Sequence, residues 1–307
     1  MAVIWGLCFV LIQASLPSPA PLLLAGLRAV IGGAVLASWV VVTRWSARAR
    51  QSGAGSFPSG PWRSSLPSTR LVILLALSNA AMAFGAMYLA AGRAEAAVAS
   101  ILAGGQPVVL AAAGWVLFGE RPSGRTAAGL AIAMVGVVLV ATSRSGATSA
   151  DGVALSLLAT AAPAAGTVLM RRLGPSVDLL TTTSVQFLLG GAVLLGVSAL
   201  LEPWAVLRWS PATLVGLLVL GVLGTGVAYV VWFSLLHQVS LVDLGTALFL
   251  VPVVGVVSGI LIGERPEPIV FAGIAAMLAG IGLVSVRHAG TCARAVSVAQ
   301  TRRRHGQ

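Results

Sequence analysis

The sequence predicts an all-α polytopic membrane protein with ten transmembrane helices, arranged as two five-helix repeats of inverted topology. Three observations carry this. Hydrophobic residues make up 58% of the 307-residue chain and charged ones only 9%, against roughly 25% charged in a soluble domain. Apolar runs of about 18–25 residues, long enough to span a hydrocarbon core, recur from end to end. The tetrapeptide Gly119-Glu120-Arg121-Pro122 returns as Gly263-Glu264-Arg265-Pro266, and Gly129 and Gly136 return as Gly273 and Gly280, all at an offset of 144. A period near half the chain is an internal duplication.

The duplication extends upstream. Gly32-Gly33-Ala34-Val35-Leu36 recurs as Gly190-Gly191-Ala192-Val193-Leu194 at an offset of 158. The polar stretch from Arg44 to Arg70 is longer than its counterpart around Glu202 to Ser210 and accounts for most of the difference between the offsets. The expected units are a first repeat at 1–145, a second at 150–288 and a basic cytoplasmic tail at 289–307.

In chain order the spans fall at about 2–16, 21–43, 70–91, 94–118, 124–142, 152–171, 178–201, 211–236, 241–262 and 268–287, each end uncertain by a few residues. Lipid offers backbone groups no partners, so each span is expected to be a helix. The first begins at Met1, which leaves open a native start further upstream. It lacks a charged leader and aligns with the sixth span (Val10-Leu11-Ile12 with Val168-Leu169-Met170), so it is expected to be retained rather than cleaved. The second carries Arg28, the only arginine well inside a span. A Gly-, Ser- and Pro-rich segment, 51–69, reads as a flexible loop. The fourth and ninth contain Pro107 and Pro252, each expected to remove one backbone bond and kink its helix. Gly104-Gly105-Gln106 and Gly245 loosen the same turns, so each proline is either a hinge or a static kink. The fifth and tenth carry glycines seven apart, a small-residue face suited to close packing against each other or a second subunit.

Orientation follows from arginine, since the chain has no lysine. With the N-terminus cytoplasmic, fourteen of the 19 basic residues lie in cytoplasmic segments and four on the opposite side. That bias puts both termini in the cytoplasm. Five spans per half is odd, so the second half enters from the other side. Inverted repeats are typical of secondary transporters, with the site near the midplane between them.

An apolar helix with a proline, then Gly-Glu-Arg, then a helix with small residues seven apart, all repeated, resembles the EamA family of the drug/metabolite transporter superfamily. Trp5-Gly6 in the first span, Arg28 in the second, and Ala228-Tyr229 with Trp232-Phe233 in the eighth match as well. The resemblance covers nearly the whole chain. It implies ten helices, inverted repeats and movement of a small organic metabolite or drug across a bacterial-type cytoplasmic membrane, often outward. It also implies a cavity lined by the first, third, fourth, sixth, eighth and ninth spans. It names no substrate. Gln186 stands where the second-half counterpart of Arg28 would, Pro163 where Trp5 does, and one residue is missing between Pro252 and Glu264. A symmetric site is therefore not expected.

Thr225, Tyr229 and Trp232 follow steps of four and three, one helical face. With Gln106 and Trp5 they are the candidate substrate-binding residues, since small-molecule sites combine aromatic walls with a few hydrogen-bonding groups. The alternative for this face is ordinary packing with a hydroxyl bonded across helices. Asn79 and Tyr88, nine apart, fall on opposite faces of the third span. Arg28 is costly at its depth and marks either a functional site or a snorkelling side chain. Glu120 and Glu264, with Arg121 and Arg265, read either as gating ion pairs or as acids capping the helix that follows, with Pro122 and Pro266 at its start. Glu95 and Asp243 are candidate acids for coupling to protons.

The composition excludes other classes. The net charge of +11 comes from arginines between apolar runs, which suits headgroup anchoring rather than nucleic acid. Cys8 and Cys292 offer no disulfide or metal framework. No zinc spacing, phosphate loop or nucleophile–base pair occurs, and His237, His288 and His305 pair with no acid, so neither an enzyme nor a cofactor is expected. Besides export, uptake of a metabolite and a non-transporting membrane scaffold or sensor stay open, as does a monomer or a homodimer.

Overall fold

In a computed structural model, residues 1–15, 20–51, 66–142, 148–173, 177–204, 209–236, 238–246, 248, 250–280 and 282–283 are described. The tail 289–307, most of the segment 51–69 and the side chain of Asp243 lie outside them. The helices are α1 (Ala2–Ser15), α2 (Pro21–Gln51), α3 (Thr69–Ala91), α4 (Ala96–Ala103), α5 (Gln106–Phe118), α6 (Gly124–Ala141), α7 (Ala150–Arg171), α8 (Leu179–Leu201), α9 (Pro211–Leu235), α10 (Leu241–Thr246), α11 (Leu250–Leu261) and α12 (Pro268–Gly280). Among the described residues seven segments are long and apolar enough to cross a membrane, counting α4 with α5 as one. Shorter apolar helices stand in the first, ninth and tenth predicted spans. Large apolar side chains such as Val116, Leu200 and Leu261 face outward. Water would penalise such a surface and lipid would not, so this is an integral membrane protein.

Local sequence sets several ends. Ser123, Ser149, Asp178 and Ser210 each cap a helix N-terminus by accepting an amide N–H with the side chain. Gly119 and Gly263 sit at φ 70° and 96°, the left-handed region that glycine enters at least cost. They turn the chain so that the Glu120 amide donates to Gly114 O (2.9 Å) and the Glu264 amide to Gly259 O (3.0 Å). The residue missing from the second half is thereby located between Gly259 and Glu264.

The prolines do not kink continuous helices, as the spans predict. Gly104 and Gly105 close α4 with tight bonds to Ile101 O and Leu102 O, and Pro107 falls in the first turn of α5. There its missing N–H has no partner to lose. Pro252 likewise lies in the first turn of α11, after α10 has ended at Thr246. The two interruptions interlock. A Cβ on Gly104 would stand 2.9 Å from Pro252 Cγ, and one on Gly245 would stand 3.2 Å from Pro107 Cα.

Small residues set the other crossings. α2 packs on α8 and on α9, and α8 packs on α3. A Cβ on Gly136 would stand 2.5 Å from Gly273 O, and one on Gly280 would stand 2.4 Å from Gly129 O. So α6 and α12 pack on each other, which settles the two alternatives for that face within this chain.

Both α3 and α9 contain a π-helical segment, Ala76–Met82 and Val219–Val227. Their last residues are 145 apart, the same offset as Pro107 and Pro252. Such segments widen the turn and are frequent at functional sites.

The repeated acids do not cap the helices that follow them. Glu264 accepts Ala96 N–H (2.7 Å) and Ala97 N–H (3.0 Å) at the start of α4. Glu120 accepts Leu241 N–H (2.8 Å) at the start of α10, and its ion pair is with Arg171 (3.2 Å), not Arg121. Each half therefore caps a broken helix of the other. Gly114 and Gly259 make room, since a Cβ would meet the carboxylate at 2.9 Å and 2.3 Å. Glu202, after α8, does the same for α2 by accepting Leu22 N–H (2.7 Å) and Leu23 N–H (2.9 Å).

Candidate functional site

Where the broken helices cross, a partly open cavity of about 90 Å³ lies between the two halves. Side chains from α1, α2, α3, α4, α5, α7, α9 and α11 reach it, so α2 joins the expected lining. Trp5, Gln106 and Tyr229 of the predicted set are on its wall, and so is Arg28. Thr225 and Trp232 are not among the lining residues. The π-helical turn before Ala228 rotates Thr225 away from the face that regular spacing predicts. Trp232 is fully buried behind Trp5, their ring centroids 5.3 Å apart.

The aromatic wall is a connected set. Trp5 lies 5.5 Å from Tyr229 and donates its indole N–H to Gly224 O at 2.9 Å. Phe187 stands edge-on to Tyr229 at 4.7 Å and stacks on Phe84 at 5.5 Å. Indole and phenol rings carry large apolar surface at low entropy cost and hold one another's rotamers by contact.

Arg28 does not snorkel. It is 2% exposed, and its guanidinium carbon sits 4.5 Å over the Phe84 ring, a favourable face for a cation. Nε donates to Thr225 Oγ1 (3.1 Å), one terminal nitrogen to Cys8 Sγ (3.5 Å) and the other to Met87 Sδ (3.7 Å). The Thr225 hydroxyl itself donates to Leu220 O (3.0 Å) within the π-helical segment. That leaves its lone pairs for the guanidinium.

Asn79 is fully buried against Gly166, and Tyr88 is buried too; neither lines the cavity. A narrow cleft continues from Phe9, Met87 and Ala159 toward Ala94 and Ala96, the end of the bundle where Glu95 stands. Burial first, then Glu264 and Glu267, raises the Glu95 carboxyl above the usual range. One of its oxygens is buried with no hydrogen-bond partner among the described residues. Asp243 lies in α10, outside the described side chains. Among the described residues no cluster of His, Cys, Asp or Glu fits a metal ion. Cys8, Phe84, Met87 and Thr160 on the wall were missed from sequence, because apolar and small residues within apolar runs carry no periodic mark.

The profile of the EamA-like transporter family matches residues 1–142 and 151–286, once per half. The chain is 25% identical over 300 residues to the uncharacterized transporter YvbV of Bacillus subtilis, covering 97% of this chain and 93% of that one. It is 28% identical to a protein of Salmonella typhimurium named a probable amino-acid metabolite efflux pump, covering 92% and 91%. A protein crystal structure superposes with a TM-score of 0.67 at 20% identity, over 93% and 94% of the two chains, which shows a shared fold. The match falls once on each half, and each half carries its own Gly-Glu-Arg-Pro turn: the chain belongs to the EamA-like transporter family.

Proposed function

We infer that this protein is a secondary transporter that carries a small organic metabolite outward across the cytoplasmic membrane of a bacterial-type cell by alternating access. The observation that carries the reading is the cavity itself, an aromatic chamber at the crossing of two interrupted helices, one from each half. Ligand sites of transporters form where discontinuous helices meet at a repeat interface. The reading takes ten helices, with repeats 1–145 and 150–288 of inverted topology and both termini and the tail cytoplasmic. Reciprocal capping by Glu120 and Glu264 supports the inversion, since it requires the two broken helices to run antiparallel. The relative named an efflux pump supports the outward direction.

Trp5, Gln106, Tyr229 and Arg28 contact the solute in this reading, with Thr225 and Trp232 holding Arg28 and Trp5 from behind. Pro107 and Pro252 mark the hinges, because the paired interruptions leave each half-helix free to tilt as a rod. Glu95 is the preferred coupling acid, since burial and its acidic neighbours already favour its protonated form. The glycine faces of α6 and α12 are occupied within the chain, which favours a monomer.

The test is solute flux into and out of sealed proteoliposomes. Wild-type protein should exchange a radiolabelled metabolite, and Gln106→Ala and Tyr229→Phe should change the preference among solutes. Losing one hydrogen bond to an uncharged group costs about 0.5–1.5 kcal/mol, up to about tenfold. Glu95→Gln should flatten the pH dependence of the flux. Vesicles that move no solute would refute transport.

A further inference from the structure

We propose that the cavity binds the carboxylate of its substrate at Arg28, so that the transported solutes are small organic carboxylates. The proposal rests on the transport reading above and specifies its substrate.

Arg28 brings an unbalanced charge to the cavity wall. Arg28 is buried and faces the cavity, and among the described residues it has no acid partner: the lining contains neither Asp nor Glu. Five of the other described acids are engaged elsewhere, Glu120 with Arg171, Asp151 with Arg93, Asp178 with Arg44, and Glu202 and Glu264 at helix N-termini, and Glu95 and Glu267 stand outside the lining. A buried cation without a counterion is costly, and in a membrane it marks function by default.

What surrounds the guanidinium holds it without neutralising it. It has five N–H donors. Thr225 takes the Nε proton, the terminal nitrogens meet sulfur in Cys8 and Met87, and the Tyr88 hydroxyl stands beside the guanidinium as a neutral neighbour. Thiol and thioether are weak acceptors, so an oxyanion can displace them at little loss. Thr225 is a positioning residue: its own proton is committed to Leu220 O, which fixes how the guanidinium plane is presented.

The fork geometry of arginine matches a planar carboxylate by two parallel N–H···O bonds. A dianionic phosphate would find only one positive charge here. The walls of Trp5, Phe84 and Tyr229 suit an organic remainder, with Gln106 and Thr160 for one further polar group. Among the described residues no acid lines the cavity for an ammonium, so simple carboxylates and zwitterions share only the carboxylate.

The experiment uses full-length protein in lipid nanodiscs. Propionate, benzoate and L-alanine are titrated calorimetrically beside propionamide, benzamide and L-alaninamide, with inorganic phosphate as a separate arm. At least one carboxylate should bind, and its amide should bind more than about tenfold more weakly, as expected for loss of a charged hydrogen bond. Arg28→Gln should weaken that carboxylate by a similar factor and leave the amide unchanged, and Thr225→Val should give a smaller loss. The propionate and alanine arms separate a simple acid from an amino acid. Equal binding of acid and amide in the wild type, no carboxylate binding, or binding of phosphate alone would each overturn the proposal. The first comparison needs no variant, so a misfolded Arg28→Gln protein cannot shelter it. The transport reading fails separately, only when no neutral or charged solute crosses proteoliposomes.

Discussion

Arg28 and Gln186 hold the same place in the two halves, 158 residues apart, and their surroundings differ in kind. The scaffold around them is shared. Gly32, after Arg28, packs on Thr225 in the π-helical segment of α9, and Gly190, after Gln186, packs on Ala76 and Ala80 in that of α3. The polar chemistry is not shared. Arg28 has Cys8 and Thr225 beside it and opens to the cavity. Gln186 is fully buried, and neither its amide nor that of Asn79 has a hydrogen-bond partner among the described residues. Gly166 stands where Cys8 does, and it packs on Asn79. Duplication thus preserved the packing in both halves while a charge directed at the cavity survives in one.

The shared scaffold is the easiest part to break. A Cβ on Gly190 would stand 2.4 Å from Ala80 Cβ and 2.6 Å from Ala76 O, and one on Gly32 would stand 2.4 Å from Thr225 Cγ2. Gly32→Leu and Gly190→Leu should each lose monodisperse protein on size-exclusion chromatography, since overpacking costs about 1–3 kcal/mol or more. A well-behaved Gly190→Leu variant would mean that the second half does not need the close approach.

The chemical difference is sharpened by Gln186→Leu. Each unpaired buried polar group costs about 1–3 kcal/mol, so an apolar side chain of similar size should raise the melting temperature and leave flux intact. A lower melting temperature would show that the amide is satisfied in the membrane and that the two halves are alike in having their polar groups paired.

The caps are reciprocal but unequal, because Glu120 also pairs with Arg171 while Glu264 serves two amides. Removing either costs about 1–2 kcal/mol of capping. Glu120→Ala should cost the more, by leaving a half-buried arginine unpaired, and thermal melts of the two variants measure the gap. Identical losses would make Arg171 irrelevant.

The smallest effect lies where α2 and α8 meet. Burial alone would raise the Asp178 carboxyl. The Thr181 hydroxyl and amide, with Arg44, outweigh it and hold the group below its usual range. A depressed folded value stabilises above the usual carboxylate range, and the gain disappears as pH falls through the lowered value. Asp178→Asn should therefore cost under about 1 kcal/mol at pH 7, after screening of a half-exposed pair, and less as the pH approaches 3. A cost independent of pH would assign the loss to the helix cap rather than the charge.

The sequence by itself determined that the protein is a helical, duplicated membrane chain, and roughly where its helices run. In lipid a backbone must bond to itself, so long apolar runs admit one local answer, and a repeated motif reveals duplication without any contact. Trp5, Gln106, Tyr229 and Arg28 were legible as candidates because polar or amphipathic groups in apolar runs stand out. Tertiary structure alone decided what each group touches. Glu120 and Glu264 reach helices more than a hundred residues away, because the broken helices run antiparallel and glycines at 114 and 259 leave a path for the carboxylates. Regular 3.6-residue spacing put Thr225 on the cavity wall, and a π-helical turn moved it behind Arg28. Trp232 had the spacing of a wall residue and became the support of one. Backbone bonding is local and follows from composition, whereas a side chain's partner depends on which distant helix approaches within 3 Å, and that is set by the glycine contacts between helices.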